Sequence, residues 1–261
     1  MLERAPKLKS LSTDRLRIDN DFASLPERCP DLTDIRWLEL RRRWTDMTDL
    51  GKLKRALDPI WRRPNMQGVE KRLGLKVRQE ILVPFASKVL HPLSHNALSP
   101  SAFLDWAASV KCTVEWRARE VTVDCSRDLV ASPPAPTGPM AKMIKDISST
   151  AHKVTLMCGG KPLHGSWASL MVFNSATKLM VAGVEKFRDF SSVPQWMAVK
   201  SHTGGNRHLP NIANLHVRDG QWVAHDDAPE EPNGVGALLG TLDRLTTLDV
   251  DTPPNVPTSP R

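Results

Sequence analysis

Three features of this 261-residue sequence predict an α+β fold. Apolar and polar residues alternate through Val110, Cys112, Val114 and Trp116, and again through Val121, Val123 and Cys125, the period-2 pattern of half-buried strands. Met140, Met143, Ile144 and Ile147 then recur at the spacing of one helix face. Two short apolar runs follow, Val154–Leu163 with its Gly159-Gly160 turn, and Thr177–Gly183. A hairpin closed across Arg117–Glu120, a helix and two further strands is the element order of a β-grasp unit over residues 110–186.

The flanks read differently. Residues 1–30 carry Pro6, Pro26 and Pro30 and read as an irregular arm. Residues 31–109 read as helical. One helix starts near Asp31 or Thr33, both good N-caps, and runs to Thr45 with Ile35, Trp37, Leu38, Leu40 and Trp44 as its apolar face. A second fits Thr48–Trp61, through Leu50, Leu53, Leu57 and Ile60, and Pro64 ends it. A third fits Asn65–Val83, through Val69, Leu73, Val77 and Ile81, before Pro84. Ser99-Pro100 is a cap followed by proline at the first helical position, opening a helix over Ser101–Ala108. Residues 187–228 read as an irregular extension in which Gln195–Val199 and Leu215–Val223 are short strands or surface segments. Residues 229–261, rich in Asp, Glu, Pro, Gly and Thr, read as a disordered tail. No internal repeat is evident.

The run Gly159-Gly-Lys-Pro-Leu163, then Trp167-Ala-Ser-Leu170, then Lys178-Leu-Met-Val-Ala-Gly183 resembles the second half of a ubiquitin-like domain. Its closest flavour is the divergent ubiquitin-like domain fused to some deubiquitinases and to a nuclear phosphatase, which share a V-x-W first strand, here Val114-Glu-Trp116. The proline-rich Ser132–Pro139 run and the short link from Ile147 to Leu156 depart from that family. The resemblance implies a protein-binding patch at Met157, Met180 and Ala182, rimmed by Lys153, Lys161 and Lys178. The chain continues well past Gly183, so a conjugated modifier is not expected.

Composition bounds the rest. Hydrophobic content of 40% supports a core, and the eight tryptophans and absent tyrosine have no physical account. No apolar run is long enough to span a membrane. Cys29, Cys112, Cys125 and Cys158 lack metal-ligand spacing and read as reduced thiols. His91 and His95 are interrupted by Pro92, His225-Asp226-Asp227 reads as a solvated turn, Cys158 has no activating histidine, and His202-Thr-Gly-Gly-Asn206 lacks a phosphate-loop lysine. No catalytic residue, metal or cofactor is therefore expected. The net charge of +7 sits in the first two-thirds, where Arg36, Arg41, Arg42, Arg43, Arg62 and Arg63 are candidate RNA-contacting residues with Trp37, Trp44 and Trp61 as core or stacking partners. The expected function is a non-enzymatic adaptor or structural subunit docking onto a larger protein assembly. The alternative is a basic RNA-contacting subunit of a ribonucleoprotein, such as an organellar ribosome. The expected compartment is cytoplasmic or nuclear, with a mitochondrial alternative suggested by the Arg- and Lys-bearing start, which Glu3 and Asp14 oppose.

Overall fold

The computed structural model describes residues 7–12, 25–40, 48–82, 98, 100–124, 137–158, 170–183, 195–218 and 234–251. Its elements, in chain order, are β1 (Ser10–Ser12), α1 (Leu25–Arg28), β2 (Asp34–Leu40), α2 (Thr48–Trp61), β3 (Lys71–Leu82), α3 (Pro100–Ser109), β4 (Cys112–Asp124), α4 (Pro139–Thr150), β5 (Lys153–Cys158), β6 (Lys178–Gly183), β7 (Asn214–Arg218), α5 (Gly234–Leu239) and β8 (Thr247–Val250). Short 3₁₀ turns lie at Pro64–Met66 and Gln195–Ala198. The eight strands form one parallel sheet, hydrogen-bonded in the order β1-β2-β3-β4-β5-β6-β7-β8.

This topology overturns the β-grasp and ubiquitin-like reading, since β-grasp requires a small mixed sheet with a hairpin. Every strand here lies beside its predecessor and runs the same way, so each connection must return the chain to the end of the sheet where the next strand begins. Such crossovers need a dozen or more residues, and among the described residues α1, α2, α3, α4 and α5 each lie in one of them. The sequential order also lacks the reversal that marks a doubly wound sheet.

The chain divides into two compact units. The first contains β1, β2, most of β3, α1 to α3, the first part of β4 through Arg119 and most of α4. Its core combines Ile35, Leu38, Leu73, Leu75, Val114 and Trp116 from strands with Leu53, Leu57, Ile60, Trp61, Phe103 and Trp106 from helices. The expected helix over residues 31–45 is instead β2, and the expected helix over 65–83 is the 3₁₀ turn and β3. The first error has a visible cause. Trp37 adopts φ 65° and the β2–β3 register slips between Ile35 and Leu38, so the buried residues Leu32, Ile35 and Leu38 fall three apart and mimic a helix. The second arises because Val69, Leu73 and Val77 are four apart, a spacing that fits two strand periods as well as one helical turn. Helices α2 and α3 lie where the sequence predicts them, and α4 buries Met143, Ile144 and Ile147.

The second unit contains the end of β4 from Glu120 and strands β5 to β8. Its windings repeat one pattern. A residue three before the first inward strand position is apolar, and the strand then alternates: Ala151, Val154, Leu156; Ala176, Leu179, Val181; Ile212, Leu215, Val217; Leu245, Leu248, Val250. The first nine of these are buried. The backbone repeats too. The carbonyl of His152 accepts from the N–H groups of Thr177 and Lys178, that of Thr177 from Ala213 and Asn214, and that of Ala213 from Thr246 and Thr247. Register-matched residues Lys153, Lys178, Asn214 and Thr247 are 25, 36 and 33 residues apart, so a fixed sequence period never emerges. On β8, Leu248 is 51% exposed, the mark of an inward position on the outermost described strand.

Three further expectations are corrected. The supposed hairpin is the single strand β4. Its inward set steps from Ala118 past Glu120 to Val121, a phase slip of one residue that reads as a turn. Helix α5 and strand β8 fall inside the expected disordered tail. Finally, the strand pattern and carbonyl bonding of the second unit recur from β5 to β8, though at no fixed sequence interval.

Candidate functional site

In a parallel sheet covered on both faces, strands read as continuous apolar runs. Here they alternate. In the second unit, Val154, Leu156, Leu179, Val181, Leu215 and Val217 are buried while every intervening side chain is half-buried or exposed. Among the described residues, no element buries the other face of β5, β6 and β7, whose side chains are half-buried or exposed.

The parallel register arranges that face in rows. Lys153, Lys178 and Asn214 form one row, with Glu120 of β4 beside Lys153 and its carboxylate 3.6 Å from the ammonium. Thr155, Met180 and His216 form the next, and Met157, Ala182 and Arg218 the third. The sequence-derived cluster Met157, Met180 and Ala182 is therefore brought together, with Lys153 and Lys178 at one end of it. The reason differs from the one expected, because the cluster sits on parallel neighbours and not on a ubiquitin-like sheet. Lys161 lies outside the described residues.

At the β8 side the face becomes acidic. The His216 ring lies between two carboxylates, Nδ1 3.1 Å from Asp249 Oδ2 and Nε2 3.2 Å from Asp251 Oδ2. Both acids can accept only when both ring nitrogens carry protons. This triad was not foreseen, because the sequence spreads its members over residues 216–251 in a stretch expected to be irregular. Among the described residues no group of three His, Cys, Asp or Glu side chains has metal-holding geometry.

Behind the face a polar knot fixes the unit. Asn206 is 2% exposed, and its Oδ1 accepts from the N–H groups of His208 and Leu209, both at 2.8 Å. Its Nδ2 donates to the Met197 carbonyl and, at 2.7 Å, to Thr241 Oγ1. His208 Nδ1 lies 2.8 Å from the Met171 carbonyl and so carries the proton in the neutral ring. Burial, the main cause, holds the His208 pKa below the usual histidine value of 6.5, against the opposing pull of the Met171 bond. The folded state therefore binds this proton less readily than the unfolded chain. Stability from His208 is complete above the unfolded value and is lost as pH falls through 6.5 toward the lowered folded value. Thermal denaturation at pH 7 and pH 5 tests this: His208→Gln should lose less melting temperature on acidification than the parent, and equal losses would refute the assignment.

The remaining sequence candidates scatter. Arg36 lies on β2, not on a helix, with Nε 3.1 Å from Asp34 Oδ1. Arg62 Nε is 2.7 Å from Asp58 Oδ1, and Arg63 precedes the Pro64–Met66 turn. Arg41, Arg42, Arg43 and Trp44 lie outside the described residues, as do His91, His95 and the His225–Asp227 run. Trp61 is core and Trp37 is half-buried on β2. Cys29 and Cys112 are buried and in no disulfide. Burial pushes the Cys112 thiol up to about 12 despite the nearby Lys71, so it stays protonated near neutral pH and is no nucleophile. The same burial lowers the pKa of Lys71, whose ammonium donates to the Met66 carbonyl at 2.7 Å. No described helix is long and apolar enough to cross a membrane.

Comparisons of the chain with protein-family models, with curated proteins and with solved structures return no match.

Proposed function

We propose that this chain is a non-enzymatic scaffold that binds a protein partner through the open face of its parallel sheet. One observation carries the reading: the outward rows on β5, β6 and β7 present Met157, Met180 and Ala182 among Lys153, Lys178, Thr155 and Asn214. Methionine keeps such a surface apolar yet able to adapt its shape, and a rim of charge orients the partner. Within the second unit, the repeated apolar-x-x-apolar-x-apolar pattern on sequential parallel strands supports repeats of leucine-rich type, an architecture whose uncovered strand face serves as a binding surface.

The test is affinity purification of the tagged full chain from native lysate. Met157→Asp with Met180→Asp should remove stoichiometric partners, a loss of at least about tenfold for buried charge at an apolar contact. Circular dichroism should be unchanged, because both side chains lie on the outward face. Retention of the same partners by the double variant would refute a role for this face.

A further inference from the structure

The first unit carries a separate feature on the outward face of its own strands. Trp37 adopts φ 65°, a region that bulky side chains rarely occupy and that strains the backbone. The strain has a geometric result. A Cβ on Gly74 of the adjacent β3 would come within 2.9 Å of the Trp37 backbone nitrogen and 3.3 Å of its ring, so only glycine lets the indole settle there. The guanidinium carbon of Arg117, from β4, then lies 3.4 Å from the centroid of that ring. Stacking on an indole fixes an arginine side chain while leaving its in-plane N–H donors available.

Arg117 does not stand alone. Arg72 and Lys76 flank Gly74 two positions to either side on the same face of β3, roughly 7 Å away at the rise of a strand. Arg119 follows Arg117 on the same face of β4. Arg72, Arg117 and Arg119 are exposed, Lys76 is half-buried, and no described carboxylate forms a salt bridge with any of the four. On β2, Asp34, opposite Arg72 in register, is engaged by Arg36 at 3.1 Å, and Glu39 lies opposite Lys76.

We propose that this platform, Arg117 clamped on Trp37 over Gly74 and flanked by Arg72, Lys76 and Arg119, docks an acidic segment of a protein partner, with Arg117 gripping a carboxylate through both arms of its fork. A strained aromatic, a pre-set guanidinium and neighbouring cations on a strand face together match a carboxylate-bearing peptide in charge and geometry. Nucleic acid fits less well. The indole lies against Gly74 and beneath Arg117, so it offers no open face to a base.

The experiment is fluorescence anisotropy on the full chain with a labelled glutamate-rich peptide, its glutamine counterpart and a labelled single-stranded RNA of similar length. The parent should bind the glutamate peptide and not the glutamine one. Arg117→Gln should weaken binding about tenfold, and Arg117→Lys should recover little of it, because an ammonium cannot form the fork. Trp37→Leu should weaken it as well, and thermal melting of each variant checks that the fold is retained. Absence of glutamate-peptide binding by the parent, unchanged affinity in Arg117→Gln, or tighter RNA binding lost in the same variants would each overturn the proposal. Met157→Asp with Met180→Asp should leave peptide binding intact, so failure here and failure of the partner-binding face in the second unit are read separately.

Discussion

Trp61→Ala should lower the unfolding free energy of the first unit by about 5 kcal/mol, measured by urea denaturation followed by far-UV circular dichroism. Trp61 is fully buried at the end of α2, and its ring stacks on Trp106 with centroids 5.7 Å apart and planes 11° off parallel. Trp106 in turn meets Phe103 at 5.3 Å, so three large rings fill one volume between α2 and α3. Truncating a buried tryptophan costs roughly 3–5 kcal/mol in lost transfer energy and residual cavity. The indole N–H also donates to the Leu32 carbonyl at 2.8 Å, and stranding that acceptor adds roughly 1 kcal/mol or more. Such a loss approaches the roughly 5–15 kcal/mol that holds a whole domain together. Trp61→Phe keeps a ring in the stack and loses the donor, so it should cost much less. A change below about 1 kcal/mol in the alanine variant would mean the cluster is not a core.

Asn206→Ala should cost the second unit on the order of 4 kcal/mol, read from the same denaturation experiment. One amide joins the Gln195–Ala198 turn, the 206–209 segment and the turn after α5, where the Thr241 hydroxyl itself donates to the Leu238 carbonyl at 2.7 Å. Alanine leaves the His208 and Leu209 N–H groups and the Met197 carbonyl buried without their partner. Each such group costs roughly 1–3 kcal/mol, softened where relaxation admits water. Asn206→Asp discriminates the two halves of the knot: the carboxylate still accepts from both N–H groups, but it sets an acceptor against the Met197 carbonyl and buries a charge. It should be destabilised as well, and more so at pH 7 than at pH 4. A fully stable Asn206→Ala would show that the knot is dispensable to the fold.

Local signals proved reliable where they were unambiguous. Ser99-Pro100 marks the start of α3, Leu50, Leu53, Leu57 and Ile60 define α2, and Met143, Ile144 and Ile147 define the inner face of α4. They failed where two periods coincide. The bulge at Trp37 converts a strand into a three-residue spacing, and the slip between Ala118 and Val121 imitates a turn. Even where strands lie close to the expected runs, at Lys153–Cys158 and Lys178–Gly183, they pair in a parallel sheet and not in a β-grasp one. A strand's sequence records which side chains face inward, not which neighbour it pairs with or in which direction.

The Met157, Met180 and Ala182 cluster shows the same division. Alternation alone places all three on the side opposite Val154, Leu156, Leu179 and Val181, and any register that keeps the apolar side buried leaves them outward. The Trp37–Arg117 stack and the His216–Asp249–Asp251 triad were illegible, because their members meet only through pairing between strands far apart in sequence.

What the residue order determined by itself is the set of apolar stripes: which positions must leave water, and hence where α2, α3, α4, β5 and β6 lie. Tertiary structure alone decided that the strands run parallel in chain order and that, among the described residues, one face of β5, β6 and β7 is left uncovered. That choice depends on pairing between strands far apart in sequence, so no short segment carries a decisive share of it.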